Sequence, residues 1–578
     1  MKKYMLKTPF PILNKIILKY IQITLLFILL IIGSIIYIRK NIIVPNTISN
    51  IGLPLFNVEF SISQENEDGA TCFVSWWYNS LYEKYYLFLP THADNEKVRL
   101  ILPSETTLLW DGVEIQHGEL MYLSTGTHTL EEIETNQIYQ VEVLQSDTIG
   151  TIYIETDSGT TQYLEETKGN EETGSITILT TDGIIEYSGK LDYIRGRGND
   201  EWTENHKKSF QIQLSESENL FQMGSNKTWL LLANTADPTE MRNGITFDMA
   251  TNIGLEFTPQ SVWMDFYING IYTGTYQMTE KIEVDESRVN IRNLESETTA
   301  LNPNTLLTDF SRFMNDPTES LYSAKGFEIE NNPEDITGGY LLEIEMSDRY
   351  GLENSGFITS RGQAVVIKSP ENASREQVEY ISQLYQEMED AIYSENGINP
   401  TTNKSYTDYL DIESFASKYI IEETVKNLDA AYTSQYIYKY PDEISDKFYA
   451  GPVWDYDKSL GVELTSQDID LNDAYTFYVN TPLKDSSLWY GLYQQTDFLK
   501  QVQYIYSETT SVYLSDIREK IELLASSLES SIIMNMIRWN QAADNDENEK
   551  IISYYENVEL IINYCENRKI FLDSQWLD

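Results

Sequence analysis

The sequence predicts an α+β protein, strand-rich first and helix-rich last, behind a single apolar segment near the N-terminus. Three observations carry this reading. Short alternations of apolar and polar residues, broken by turns, dominate from about Ile51 to about Ile367. After Glu371 the apolar residues shift to helical spacing, as in REQVEYISQLYQEMEDAIY (375–393) and IESFASKYIIEETVKNL (412–428). Tyr20–Ile38, YIQITLLFILLIIGSIIYI, runs for 19 residues without a charge. At 578 residues the chain is long enough for several domains with ordinary cores.

The apolar run comes first. At about 1.5 Å per residue it matches the hydrocarbon core of a bilayer. Lys2, Lys3, Lys7, Lys15 and Lys19 precede it, Arg39 and Lys40 follow it, and residues 1–40 hold no acid. That asymmetry puts the N-terminus in the cytoplasm and the rest of the chain outside the cell. The run exceeds a usual signal-peptide core and no A-x-A site follows it, so an uncleaved anchor is expected over residues 1–45.

Beyond a short polar linker, CFVSWWY (72–78), KYYLFLP (84–90), KVRLILP (97–103), TLLWDG (107–112) and YQVEVL (139–144) are spaced as strands of a β-sandwich-like accessory domain, residues 50–165. Trp76, Trp77 and Trp110 are assigned to its core rather than to sugar binding. The polar stretch EETKGNEETGS (165–175) is taken as the boundary of the main domain, residues 175–578. There SITILTT, KSFQIQL, WLLLAN, VWMDFYING, YTGTYQMTEKIEV, GGYLLEIEM and QAVVIKS read as strands, and the chain from Asp497 onward reads as mostly helical.

Composition removes some functions. The 90 acidic against 41 basic residues give a formal net charge of -49, a surface that repels the phosphates a nucleic-acid binder must neutralise. Cys72 and Cys565 have no disulfide-like spacing and are read as free thiols, and the near-absence of cysteine suits an exported chain, where thiols are a liability. Of the four histidines only His206 lies in the main domain, so a histidine-rich zinc site is disfavoured and any metal falls to carboxylates.

Three clusters are suited to chemistry. Arg195-Gly196-Arg197-Gly198-Asn199, followed by Lys207-Lys208 at the mouth of a strand, combines glycines that admit a phosphate with cations that hold one. An ordinary hairpin and solvated edge lysines are the structural alternative. Asp455 and Asp457, in GPVWDYDKSLG (451–461), project to one face of an extended segment and suit a hard cation such as Mg²⁺ or Mn²⁺. A turn after a strand produces the same spacing. Asp429, in Asn427-Leu428-Asp429 at a helix end, is placed to orient an attacking hydroxyl or simply to serve as a cap.

Six ordered blocks raise all three. RGRGN…KKSFQIQL, LLANTADPTEMRN (231–243), FTPQSVWMDFYINGIYTGTYQMTEKIEVDESRVNI (257–291), GGYLLEIE (338–345), KNLDAAYTSQYIYK (426–439) and AGPVWDYDKSLG (450–461) follow the order found in kinases of the spore coat protein H (CotH) family, which this chain resembles. The resemblance implies a divergent bilobal protein-kinase-like fold and transfer of the ATP γ-phosphate to serine on secreted or surface proteins with Mg²⁺ or Mn²⁺. Arg195 to Asn199 would then cover the nucleotide phosphates, with Lys208, or Lys207, as the strand lysine contacting them. Met278-Thr279-Glu280-Lys281 would form a hinge beside the adenine, Asp429 would orient the acceptor hydroxyl, and Asp455 and Asp457 would hold the metal. No HRD, DFG or Walker motif occurs, and Ser209 stands where the family has a proline after the lysine pair. Glu343 and Glu345 share a strand face, with either Lys208 or Arg242 as a possible partner.

Two other classes were weighed. A non-catalytic surface or wall scaffold that keeps the kinase-like fold would bind no nucleotide. A glycosidase needs carboxylates several ångströms apart on separate elements, and Asp455 and Asp457 are sequence neighbours.

Overall fold

A computed structural model describes residues 57–61, 71–79, 82–96, 98–101, 108–134, 136–147, 149–198, 202, 207–303, 312–313, 324–462, 470–481, 487–539 and 547–577. The expected membrane anchor over residues 1–45, Asn199 and His206 lie outside the described residues. Among the described residues no helix is long and apolar enough to cross a membrane.

Two sheets come first. Strands β1 (Asn57–Ser61), β2 (Thr71–Ser75), β5 (Val98–Ile101) and β8 (Leu120–Met121) form one, in the order β2-β1-β5-β8. The other contains β3 (Trp77–Asn79), β4 (Lys84–Leu89), β6 (Leu108–Trp110), β7 (Val113–Ile115), β9 (Gly126–Glu132) and β10 (Gln137–Gln145), in the order β3-β4-β10-β9-β6-β7. Alternation sets the faces: in β5 Val98 and Leu100 are buried while Arg99 between them is exposed. Trp76 and Trp110 are buried with ring centroids 5.9 Å apart, as core residues should be.

The next seven strands close into a barrel in the order β11 (Gly150–Thr156), β12 (Glu171–Leu179), β13 (Ile185–Gly196), β14 (Phe210–Asn219), β15 (Ser225–Leu232), β17 (Ile271–Glu280) and β16 (Ser261–Ile268). Closure pairs β11 with β16 in parallel and leaves no free edge. Ile152, Ile154, Ile176, Ile178, Ile212, Trp229, Leu231 and Phe266 fill one apolar core. The polar stretch 165–175, expected as a domain boundary, instead runs into β12, and β11 belongs to the barrel although it falls within residues 50–165. Pairing of β11 with a strand more than a hundred positions away is a long-range fact that local patterning does not carry.

After a two-stranded piece, β18 (Arg312–Phe313) with β19 (Gly326–Phe327), a mixed region follows. Its sheet has the order β21 (Gly356–Ile358), β22 (Ala364–Ser369), β20 (Tyr340–Glu345), β23 (Gln435–Lys439) and β24 (Phe448–Ala450). The longer helices are α1 (Arg242–Ile253), α2 (Arg375–Ile392), α3 (Ile412–Val425), α4 (Thr496–Glu508), α5 (Ile517–Trp539) and α6 (Glu547–Trp576). In α2 a capping box between Ser374 and Gln377 fixes the start, and Val378, Ile381, Tyr385, Met388 and Ile392 form its buried stripe. Asp411 caps α3, which stops at Val425 because Lys426 turns left-handed at φ 47°. The expected helix continued to Leu428. That early stop releases Asn427 and Asp429 into a loop.

Candidate functional site

The site begins where the barrel meets the mixed region. Asp237 accepts from the Thr239 hydroxyl and from the Arg242 backbone N–H, and pairs with the Arg242 guanidinium, so the turn before α1 is tied to its first residue. Arg242 Nε then donates to the Ser459 carbonyl at 2.9 Å. One residue on, Asn243 Oδ1 accepts from the Tyr456 N–H at 2.7 Å and Asn243 Nδ2 donates to Asn234 Oδ1 at 3.0 Å. The start of α1 therefore grips the turn that carries Asp455 and Asp457.

The second loop is stitched to the same turn. Leu428 N donates to Lys458 O at 3.1 Å and Leu460 N to Val425 O at 2.7 Å. The Ser434 hydroxyl donates to Asp455 Oδ2 at 3.2 Å. Asp429, Asp455 and Asp457 thus belong to two loops bonded to each other. Both are conformationally costly: Lys426, Ala431, Ser434, Asp455 and Leu460 all have left-handed φ, between 47° and 77°. Non-glycine residues held this way cost about 1–3 kcal/mol each and concentrate at functional sites. Asp457 is buried, whereas Asp429 and Asp455 are half-exposed. The Asn427 side chain is buried, its Oδ1 accepting from the Asp429 N–H at 3.2 Å and its Nδ2 finding no partner.

From the barrel side, the β13–β14 connection reaches this turn through Arg197, whose guanidinium lies 5.6 Å from the Trp454 ring centroid. Arg197 also lies within electrostatic reach of the Tyr436 hydroxyl, as do Glu343 and Asp455. Gly198 has φ 81°, a conformation glycine supplies without strain. Gly196 is buried against Trp202, where any side chain would collide with the indole. Arg195 points away, pairing with Glu171 at 2.9 Å.

The two lysines do not face the acids. Successive residues of an extended segment point to opposite sides. Lys207 enters the interior and donates to Glu240 Oε1, Ala233 O and Thr275 O, at 2.5, 2.9 and 2.5 Å. Lys207 and Glu240 side chains are 1% and 3% exposed. Burial pushes the Glu240 carboxyl up to about 8 despite the opposing pull of Lys207. Lys208 goes the other way, to the Trp202 carbonyl and over its ring, and burial lowers its pKa. Lys207 is thus tied to Glu240 and two barrel carbonyls, and Lys208 to Trp202, the residue that backs Gly196. Glu280 accepts from Arg288 at Oε1 and from the Gln260 N–H at Oε2, both at 2.9 Å.

Glu343 and Glu345 take neither partner considered for them. Lys368 lies 3.3 Å from Glu343, and Glu345 accepts from the Thr433 hydroxyl at 2.6 Å. Burial raises the Glu343 carboxyl to about 7. Sequence reading missed Glu240, Asn243 and Ser434. The acid just ahead of a helix start in ADPTEMRN was a visible signal for Glu240, but its contact with Lys207, 33 residues earlier, was not.

Among the described residues no group of three His, Cys, Asp or Glu side chains is arranged to hold a metal alone. Asp455 and Asp457 supply a two-carboxylate donor set of the kind Mg²⁺ uses when phosphate oxygens and water complete its shell. The backbone there is not the extended segment expected from the sequence, since Asp455 takes φ 68° and a turn begins at Asp457, so the pair stands as a donor set by its chemistry and not by a shared strand face. Nothing among curated proteins matches the chain. A family model described as CotH kinase protein matches residues 194–572, which take in the barrel from the end of β13, both acidic loops and the helical tail. The match covers more than half of the chain, and the protein therefore belongs to the CotH kinase protein family.

Proposed function

We propose that this protein is a membrane-tethered, outward-facing protein kinase that transfers the γ-phosphate of ATP to serine on secreted or surface proteins. The observation that carries the reading is the meeting of Arg197, from the glycine-bearing end of the barrel, with the Asp455 turn, to which the Asp429 loop is bonded. Membership of a kinase family supports the reaction class. The N-terminal apolar run with its flanking lysines supports the tether and the orientation. A bilobal arrangement, barrel above and mixed region below, is part of the same reading.

Phosphoryl transfer asks a protein for alignment and charge neutralisation more than for covalent chemistry. The acceptor serine oxygen forms a bond to the γ-phosphorus while the bond to the β–γ bridging oxygen breaks, and ADP leaves. Asp429 accepts the hydroxyl hydrogen bond, orients the oxygen and takes its proton as the new O–P bond forms. Arg197 neutralises the phosphates from above, its own backbone N–H being held by the Ser209 carbonyl at 3.0 Å. Asp455 and Asp457 would hold a divalent ion, which would supply further neutralisation of the charge that builds up. Ser434 keeps the Asp455 carboxylate turned toward the loop that bears Asp429.

The test is phosphate incorporation from radiolabelled ATP into a serine-containing protein acceptor, with Mn²⁺ or Mg²⁺, by the purified chain and by its Asp429→Asn and Asp455→Asn variants. Incorporation that needs the metal and disappears in both variants is expected. Equal incorporation by wild type and variants refutes the site. No incorporation and no nucleotide-dependent thermal shift in the wild type leaves the scaffold reading in its place.

A further inference from the structure

The helical tail carries polar side chains that reach the barrel interior. Ser531 and Asn535, one turn apart on α5, lie on the same face of that helix. Ser531 donates to Asp265 Oδ2 at 3.0 Å and bonds the Ser146 hydroxyl at 2.7 Å, joining the end of the two-sheet unit to the barrel. Asn535 donates from Nδ2 to Glu240 Oε1 at 2.9 Å, and its Oδ1 accepts from the Thr275 N–H at 3.3 Å. Asn535 is 1% exposed and Ser531 is fully buried. Arg538 and Trp539 extend the contact with bonds to the Tyr272 and Thr273 carbonyls, both at 2.9 Å. The approach is close enough that Gly274, at φ 122°, has no room for a side chain: a Cβ there would lie 2.4 Å from Asn535 Oδ1.

Glu240 is unusual in its own right. It takes φ 56°, and its Oε2 is buried without a hydrogen-bond partner. It is held on one side by Lys207 and on the other by Asn535, and it stands two residues ahead of Arg242, whose side chain grips the Ser459 carbonyl. Asn243, the next residue, holds the Tyr456 N–H between the two acids. A continuous run of bonded groups therefore leads from α5 through Glu240 and the start of α1 to the turn of Asp455 and Asp457.

We propose that Asn535 is a positioning residue for the Asp455–Asp457 turn, acting through Glu240, so that the helical tail is a working part of the site. The role at the turn rests on the functional reading above, while the mechanical link from Asn535 to the turn stands on the hydrogen bonds alone. A carboxylate-directed hydrogen bond buried this deeply is strong enough that its loss is felt at the next group in the run.

The experiment compares the full chain with Asn535→Leu, Asn535→Asp and Ser530→Ala variants by amide hydrogen exchange. Asn535→Asp keeps the shape and the acceptor for Thr275 but loses the donor to Glu240. Ser530, whose hydroxyl meets Asp147 at the rim of the same helix, is the control for loosened helix docking. Exchange at the Tyr456 amide is expected to speed up by about tenfold in both Asn535 variants and to stay at the wild-type rate in Ser530→Ala. If the Leu variant does not fold, the Asp variant decides. Unchanged Tyr456 exchange in a folded Asn535 variant, or equal acceleration by Ser530→Ala, overturns the proposal. A double-variant cycle with Glu240→Gln adds a second reading: the Asn535 effect should vanish once Glu240 is replaced. Where wild type transfers phosphate, the KM for ATP should rise about tenfold in the Asn535 variants with the KM for the acceptor unchanged. A wild type that transfers none refutes the kinase reading, and the exchange experiment still decides the link.

Discussion

Two polar regions of this molecule solve opposite problems. The knot of Lys207, Glu240, Asp265, Ser531 and Asn535 is dry, and nearly every donor in it is used. The acidic loops keep Asp429 and Asp455 half-exposed and tolerate a run of left-handed residues to do so. Burial makes the knot a structural commitment: removing one member leaves a stranded partner. Partial exposure keeps the Asp429 and Asp455 carboxylates within reach of solvent at the surface of the loops. The difference separates residues whose loss should cost stability from residues whose loss should cost chemistry.

The sharpest way to break that contrast is Lys207→Met. It leaves the Glu240 carboxyl and the Ala233 and Thr275 carbonyls buried without their shared donor, at about 1–3 kcal/mol for each stranded group. Denaturant unfolding should show a loss of that size, with activity falling alongside it. An unfolding midpoint within error of wild type would mean that the knot carries no such commitment. Asp455→Asn probes the other side. Asparagine adopts left-handed φ readily, so stability should move by less than about 0.5 kcal/mol. Phosphotransfer should fall by about 10²–10³-fold, the usual loss for one charge-stabilising group. A variant that unfolds easily but retains its rate would reverse the assignment of the two regions.

Much of this contrast was legible in the sequence, and the limit is a physical one. The strand-rich and helix-rich parts followed from periodicity, because a face buried in one element repeats locally along it. The acidic loops were legible for a related reason: KNLDAAYTS and GPVWDYDKS are each contiguous, and a loop's chemistry travels with its own residues. Barrel closure and the knot were not legible. β11 meets β16, Lys207 meets Glu240 and Asn535 meets Glu240 across long stretches of chain, and no local pattern encodes such partners. The lysine pair shows the finest form of the limit. Alternation predicts that Lys207 and Lys208 point apart, but only the fold determines which of them enters the interior.

Acidity offers a gentler test of the same contrast. Glu240 is raised from 4.5 to about 8 and Asp265 from 3.8 to about 6, both chiefly by burial. A carboxyl whose folded pKa is raised holds its proton better when folded. Its contribution is complete below the unfolded value and is lost as pH climbs through the folded one. Glu240 should therefore subtract stability between pH 4.5 and about 8, and Asp265 between pH 3.8 and about 6. The unfolding midpoint of wild type should drop steadily across the upper window, and Glu240→Gln should flatten that slope. A midpoint that rises through the upper window would show that Lys207 holds Glu240 ionised and that desolvation does not dominate.

The smallest expected effect is the most discriminating about the loop above the acids. Lys208 and Lys207 are adjacent, and either was a candidate to touch the phosphates. Lys208 Nζ bonds the Trp202 carbonyl and lies over the indole that backs Gly196, so its visible work is to brace the turn that carries Arg197. Truncating a half-buried lysine of this kind should cost about 0.5 kcal/mol or less, which is roughly a twofold change in kcat/KM for ATP. Arg197→Ala, which removes the cation lying over Trp454 beside Asp455, should cost more than that in the same assay. If Lys208→Ala instead matches or exceeds Arg197→Ala in its effect on the KM for ATP, then the ammonium leaves Trp202 when nucleotide binds. The cation that meets the phosphates would in that case come from the strand and not from the turn.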